Sequence, residues 1–326
     1  MDSSKAFISV IIPVYNRVTL IQESIASVLI LEEVRELLIV DDGSKDGTFE
    51  LCQHLCDLNP KIKLLHHSGR RNKGVSASRN LGIEKATCEW IAFLDSDDIY
   101  LPERFKESAK RINNGECADG YYGFIRHVNL TKNGDGDLAG ISKLTKYEDL
   151  FLSLLEGKKG YFLIPSILIR KSILRQTQNF DQRLKNCEDT QLWLKASLIG
   201  KIVPLHAIEP ISLVHQHADN IWNGKTGSYD SIAGHYLMFL YMIDFVLKNG
   251  QSDQQNYFFL RMREDYKNYF WTIRQEIYKK WFICVFLPIL LYSFIGISRN
   301  KVEKFHRREL RKWCIFVINK SIKRII

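Results

Sequence analysis

Four times between Phe7 and Leu94 a short aliphatic run is followed by a stretch with helical spacing, and this alternation narrows the possible folds more than any other feature of the chain. Phe7 to Val14 is a continuous β-branched run, the pattern of a strand covered on both faces. Leu37 to Val40, Ile62 to His66 and Trp90 to Leu94 read as the next three strands. The first helix carries Ile21, Ile25 and Val28 on one face and is opened by a capping box of Thr19 with Gln22. Two more are expected over Thr48 to Leu58 and Val75 to Lys85. Strand–helix units in tandem predict the α/β class, Rossmann-like, with a mainly parallel mixed sheet flanked by helices. Such a sheet binds ligands outside the carboxyl ends of its strands.

Those ends carry Asn16 and Arg17, Asp41-Asp42-Gly43-Ser44, Arg70 to Gly74, and Asp95-Ser96-Asp97-Asp98. Carboxylates at the ends of neighbouring strands converge, and like charges held together repel, so such a cluster calls for a cation. Oxygen ligands without Cys or His between them suit Mg2+ or Mn2+, bridging to a substrate diphosphate. The plain alternative is that these aspartates cap the helices that follow. Beyond Pro102 a helix leads to a strand over Tyr121 to Leu130, turned back at Asn133-Gly134, then a strand over Phe162 to Ile169, a helix over Glu188 to Ile199, and helical patterns across 229–279.

Four blocks in order resemble family 2 glycosyltransferases: Ser9 to Asn16 (SVIIPVYN), Val40 to Thr48 (VDDGSKDGT), Asn72 to Gly82 (NKGVSASRNLG) and Phe93 to Asp98 (FLDSDD). The resemblance covers about the first 220 residues. It implies a GT-A fold, a nucleotide-diphosphate sugar donor and inversion at the anomeric carbon. It implies that Pro13, Val14, Tyr15 and Asn16 line the nucleotide pocket and that Asp41 contacts the base. Asp95-Ser96-Asp97 matches the DxD motif, with Asp95 or Ser96 near the ribose and Asp97 ligating the metal. Lys73 and Gly74, with Arg70 and Arg71, stand at the crevice mouth as candidate phosphate contacts, or as a solvated charge run.

Inverting transfer needs a base to take the acceptor's proton. Cys187-Glu188-Asp189-Thr190 resembles the family's acidic pair before a helix and implies Asp189 as base, with Glu188 as its substitute or orienting group. On its own, a carboxylate there is also what a helix cap looks like. His217 matches a histidine that many relatives use at the metal or diphosphate, while His215 stands where they carry an arginine.

Composition decides the rest. Hydrophobic residues at 45% and charged residues at 25% exclude disorder and a multispanning membrane architecture, and seven scattered cysteines without a CxxC pair point to neither a disulfide framework nor structural zinc. The net charge of +9 is concentrated at one end: from Arg299 onward ten Lys/Arg face two acids, which leaves the rest of the chain near neutral. Beside those cations lie the uncharged run Trp281 to Ile297 and a helical face of Leu310, Cys314, Ile318, Ile322 and Ile325. That is an interfacial, lipid-surface pattern and not a nucleic-acid arm. Three segments follow: a GT-A domain over 1–225, a helical extension over 226–280, and an apolar segment with a basic amphipathic tail over 281–326 as membrane attachment. The expected function is a metal-dependent inverting glycosyltransferase acting on a glycan or lipid-linked glycan acceptor, peripheral or monotopic at the cytoplasmic face of the membrane, in surface-polysaccharide synthesis. The competing functions are a nucleotidyltransferase and a non-catalytic nucleotide-sugar binding protein.

Overall fold

A computed structural model describes residues 7–129, 135–140, 145–157, 160–216 and 229–276. The alternation opens as expected with β1 (Ile8–Val14), α1 (Ile21–Leu29), β2 (Val34–Asp41), α2 (Thr48–Leu58), β3 (Ile62–His66), α3 (Val75–Lys85) and β4 (Trp90–Phe93). A short β5 (Ile99–Tyr100), α4 (Lys106–Asn113), β6 (Gly120–Tyr122), β7 (Ile125–Asn129) and β8 (Asp135–Ala139) follow. Then come α5 (Leu150–Glu156), β9 (Ile167–Arg170), α6 (Lys171–Gln176), α7 (Glu188–Ile199), β10 (Ile202–Pro204), β11 (Ser212–Gln216), α8 (Tyr229–Asn249) and α9 (Ser252–Glu276).

Seven strands form one sheet in the order β10-β6-β9-β4-β1-β2-β3, in which β9 alone runs antiparallel to its neighbours β4 and β6. Successive side chains of its central strands alternate between two cores, as the pleat requires. Val10, Ile12, Leu37, Ile39 and Ala92 face one cluster, which Ile25, Val28 and Cys52 of α1 and α2 complete. Ile11, Leu38, Val40, Ile91 and Phe93 face the other, with Ile83 of α3 and Leu192 and Trp193 of α7. Gly82 lets α3 lie close to the sheet, since a Cβ there would overlap the side chain of Ile11. The smaller sheet, β5-β11-β7-β8, extends beyond the carboxyl end of β4. A third cluster joins Phe151 of α5 and Leu194 of α7 to Met238, Met242 and Val246 of α8 and Phe258 of α9.

Three local expectations change. The capping box does not form: α1 starts at Ile21 with no side-chain cap, and the carbonyl of Arg17 accepts the N–H groups of Leu20 and Ile21 instead. The expected strand over Tyr121 to Leu130 is two strands in different sheets, broken at Gly123, where a Cβ would come within 2.7 Å of Ile211 Cδ1. The expected strand over Phe162 to Ile169 starts later, because Pro165 falls in a 3-10 turn over Ile164–Ser166 and cannot donate to a ladder. The Asn133-Gly134 turn lies outside the described residues, but β7 and β8 pair antiparallel on either side of it.

Residues Met1–Lys267 form one compact unit. A second, Asn268–Ile326, is represented among the described residues by the end of α9. No described helix is long and apolar enough to cross a membrane. The segment 281–326, on which the membrane expectation rests, lies outside the described residues.

Candidate active site

The loops after β1, β2 and β3 are tied to one another before any ligand arrives. Asn16, in the left-handed region at φ 51°, donates its N–H to Ser44 Oγ at 3.0 Å and accepts the Lys45 N–H on Oδ1 at 2.8 Å. Gly43 sits at φ +84° with the backbone of the next loop against it, where an added Cβ would lie 2.7 Å from the carbonyl oxygen of Arg70. Pro13 and Val14 are buried behind this edge, and Tyr15 is 44% exposed on it.

The two aspartates ending β2 both serve these loops. Asp41 is fully buried and accepts the N–H groups of Gly43 and Ser44, so it shapes its own turn. Asp42 accepts the N–H groups of Lys73 at 2.7 Å and Gly74 at 2.9 Å, fastening the glycine-rich loop in front of α3. His67 packs behind it, 3.0 Å from Ser78 Oγ and 3.6 Å from Asp42 Oδ1. Burial pushes the His67 imidazole below its ordinary value, against the opposing pull of Asp42. Lys73 and Arg71 are exposed, while Arg70 stacks 3.6 Å over the Phe49 ring. None of these aspartates caps a helix: α2 is entered through Gly47, with Asp46 accepting the N–H of Thr48.

At the end of β4 the acidic segment turns toward the crevice. Ser96 is buried; Asp95 has 36% and Asp97 19% of its side chain exposed. Asp98 is buried beneath them and accepts the N–H of His215 at 3.1 Å. Burial first, then the charges of Asp95 and Asp97, push its carboxyl well above the usual range. His215 Nδ1 lies 2.6 Å from the Asp97 carbonyl oxygen, which ties β11 to the acidic segment. Arg17 Nε stands 4.0 Å from Asp97 Oδ2. His217 lies outside the described residues, and no three His, Cys, Asp or Glu side chains among the described residues form a metal-binding group. The donor set is therefore open. Acidic oxygens with excess negative charge, headed by the partly exposed Asp97, fit a hard divalent ion that takes its remaining ligands from a substrate diphosphate.

The acidic pair arrives from far along the chain. Cys187, at φ 61°, makes the turn that puts Glu188 and Asp189 in the first turn of α7. Neither side chain caps the helix, and Asp189 Oδ1 accepts the N–H of Thr190 at 2.6 Å. Burial and the neighbouring Asp189 push the Glu188 carboxyl up to about 7 in spite of Arg79; burial raises Asp189 as well, opposed by Arg79 and helped by Asp95.

One buried arginine joins the two halves of the site. Arg79 of α3, 4% exposed, donates from Nη2 to Asp95 Oδ1 at 2.8 Å and from Nη1 to Glu188 Oε1 at 3.0 Å. It sits inside the NKGVSASRNLG block with no role assigned from the sequence. The available signal was its helical face: Arg79 lies three and four residues from Ser76 and Ile83, on the side that packs against the sheet, and a cation there requires counter-charges.

Residues 9–177, just over half of the chain, match the family model for Glycosyl transferase family 2. The uncharacterized glycosyltransferase RC0461 of Rickettsia conorii is 46% identical over 104 residues, 32% of this chain and 17% of the relative. The putative teichuronic acid biosynthesis glycosyltransferase TuaG of Bacillus subtilis is 31% identical over 125 residues, 38% of this chain and 49% of the relative. The chain thus spans less than half the length of either. Among solved structures, S. aureus TarS 1-349 in complex with UDP superimposes with a TM-score of 0.62 at 22% identity, over 97% of this chain and 88% of that one. Mannosyltransferase PcManGT from Pyrobaculum calidifontis, in complex with GDP-Man and Mn2+, gives 0.53 at 12% identity, over 99% and 88%. These likenesses assign the GT-A fold.

Proposed function

Because the chain belongs to glycosyltransferase family 2, we propose that it moves a sugar, with inversion, from a nucleotide-diphosphate donor to a glycan acceptor, with Asp189 as the general base. The observation that carries this reading is the convergence of Asp95, from the acidic segment after β4, and Glu188, from the acidic pair, on the single guanidinium of Arg79, from positions 16 and 109 residues away from it in the chain. An acid pair beside a donor-binding edge is what a one-step displacement requires.

Asp189 has one oxygen held by Thr190, and its Oδ2 makes no hydrogen bond among the described residues. As the acceptor hydroxyl attacks the anomeric carbon, that oxygen takes its proton while the bond to the diphosphate breaks on the opposite face. The pocket edge of Pro13, Val14, Tyr15 and Asn16, with Asp95 and Ser96 below, holds the nucleoside, and the exposed Lys73 pairs with phosphate. When bound at Asp97, a divalent cation supplies positive charge to the departing diphosphate. The gathering of Asp95, Asp97 and the buried Asp98 at the end of β4 supports a cation there, as does the Mn2+ of the PcManGT structure. The association of TuaG with teichuronic acid supports a surface polysaccharide as product. The basic amphipathic tail over 281–326 supports a lipid-linked acceptor reached at the cytoplasmic face of a membrane. A screen of UDP-, GDP- and dTDP-sugars, with and without Mn2+ or Mg2+, tests the reading by the nucleoside diphosphate released in the presence of acceptor. Release from no donor of the panel under any metal condition refutes it.

A further inference from the structure

A guanidinium taken out of water costs several kcal/mol unless its charge and donors are matched, so both partners of Arg79 are informative. A purely structural arginine needs no pair of carboxylates: the fully buried Arg104 donates to a backbone carbonyl oxygen, that of Ile167. Arg79 has two, and both belong to the candidate site: Asp95 at the end of β4 and Glu188 at the start of α7. Its plane lies 5.2 Å over the Phe180 ring, which fixes the fork from a third side. Three carboxylates surround this one cation: Asp95 and Glu188 each accept from it, and Asp189 makes its hydrogen bonds only to Thr190 among the described residues.

The geometry points to Arg79 as the positioning residue of the reaction: it restrains Glu188, and through Glu188 the first turn of α7, so that Asp189, held on Oδ1 by Thr190, keeps Oδ2 for the acceptor beside the donor-binding segment. This rests on the reading of Asp189 as base. Glu188 then orients and does not carry the proton. The same fork connects donor side and base side, since Asp95 Oδ1 and Glu188 Oε1 are bridged by two nitrogens of one rigid plane. The groups facing the pair are Arg79 on α3, Asp95 after β4, and Cys187 with His235 of α8 lying 3.6 Å from its sulfur.

The test is a double-mutant cycle on kcat with Arg79→Gln and Glu188→Ala, using the best donor of the panel above and its nucleoside diphosphate as calorimetric probe. If Arg79 acts through Glu188, each single change lowers kcat about 100-fold and the double variant loses no more than about tenfold beyond the worse single one. Probe affinity should stay within about threefold of the parent in Glu188→Ala, which leaves the Arg79–Asp95 contact in place, whereas Arg79→Gln also releases Asp95 and is read on kcat. Two independent losses that multiply to about 10,000-fold overturn the proposal. So does a loss of turnover that only follows the folded fraction in thermal melts. Arg79→Lys keeps the charge but not the fork, and should lose about tenfold in kcat; should Arg79→Gln fail to fold, the cycle is run with Lys. Parent-like kcat in Arg79→Lys also overturns it. Asp189→Asn is measured alongside: full turnover there sinks the base assignment itself, whereas loss there with an additive Arg79 cycle sinks only the positioning role.

Discussion

Glu36 offers the most quantitative check on how the sheet is held. It lies on β2, 3% exposed, and its carboxylate accepts Ser9 Oγ at 2.6 Å, the N–H and Oγ1 of Thr87 at 2.6 and 2.8 Å, and Lys63 Nζ. It thereby joins β1, β2, β3 and the turn before β4. Burial pushes its carboxyl up, but these contacts together outweigh it and hold the group at about 2, against an ordinary 4.5. At 1.36 kcal/mol for each pH unit of difference, ionised Glu36 contributes about 3 kcal/mol to folding. Because the folded value is the depressed one, that contribution is complete above the unfolded value and is lost as pH falls toward 2. About three quarters remains at pH 4 and about two fifths at pH 3. Glu36→Gln keeps the shape and removes the charge. In urea unfolding followed by circular dichroism, parent and variant should differ by about 3 kcal/mol at pH 7 and by only about 1.4 kcal/mol at pH 3. A parent–variant gap that is constant from pH 7 to pH 3, or absent at pH 7, refutes the reasoning.

Asp189→Asn should retain nucleoside-diphosphate binding by calorimetry while kcat falls about 100-fold or more, the usual worth of a general base. Glu188 must be ionised to pair with Arg79, and burial with the neighbouring Asp189 pushes it up to about 7, so kcat should decline as pH drops through that region; a flat profile from pH 5.5 to 8.5 counts against its orienting role. Asp97→Asn and excess chelator should each remove most turnover, measured by product release, without lowering the melting temperature of the free protein. Gly82→Ala should cost about 1–3 kcal/mol in urea unfolding, because its Cβ drives into Ile11 and lifts the helix that carries Arg79.

The strands of the first half were legible because a strand covered on both faces has to be aliphatic throughout, as β1 is. β2 was read three residues short at its start for the complementary reason. Arg35 and Glu36 look like loop residues until Lys63 and Thr87, 27 and 51 positions from Glu36, donate to its buried carboxylate. Thr19 and Gln22 matched a capping pattern, but Arg17 supplied a backbone alternative that no side-chain rule anticipates. In the site, the acidic blocks stood out because clustered charge is costly, whereas Asp41 and Asp42 proved to be engaged with backbone N–H groups of the surrounding loops, contacts that depend on which loops meet. Arg79 was invisible as a linker because its two partners lie 16 and 109 residues onward, and spacing rules stop at a helical turn or a strand pair.

The single reversed strand has a consequence for how the chain is made. β9 is inserted between β4 and β6, both of which leave the ribosome before it. From Phe93 to Arg170 the chain adds about 75 residues, which at about 5–20 residues per second leaves the apolar rim of β4 without its neighbour for roughly 4–15 s. During that interval the parallel strands β3, β2, β1 and β4 have everything they need to pair, yet they present Trp90, Ile91, Ala92 and Phe93 as an open edge to any passing strand. Arrival of β9 closes that edge and docks β6 in the same event. A nascent chain released before Arg170 therefore lacks the strand that joins the rim of β4 to that of β6.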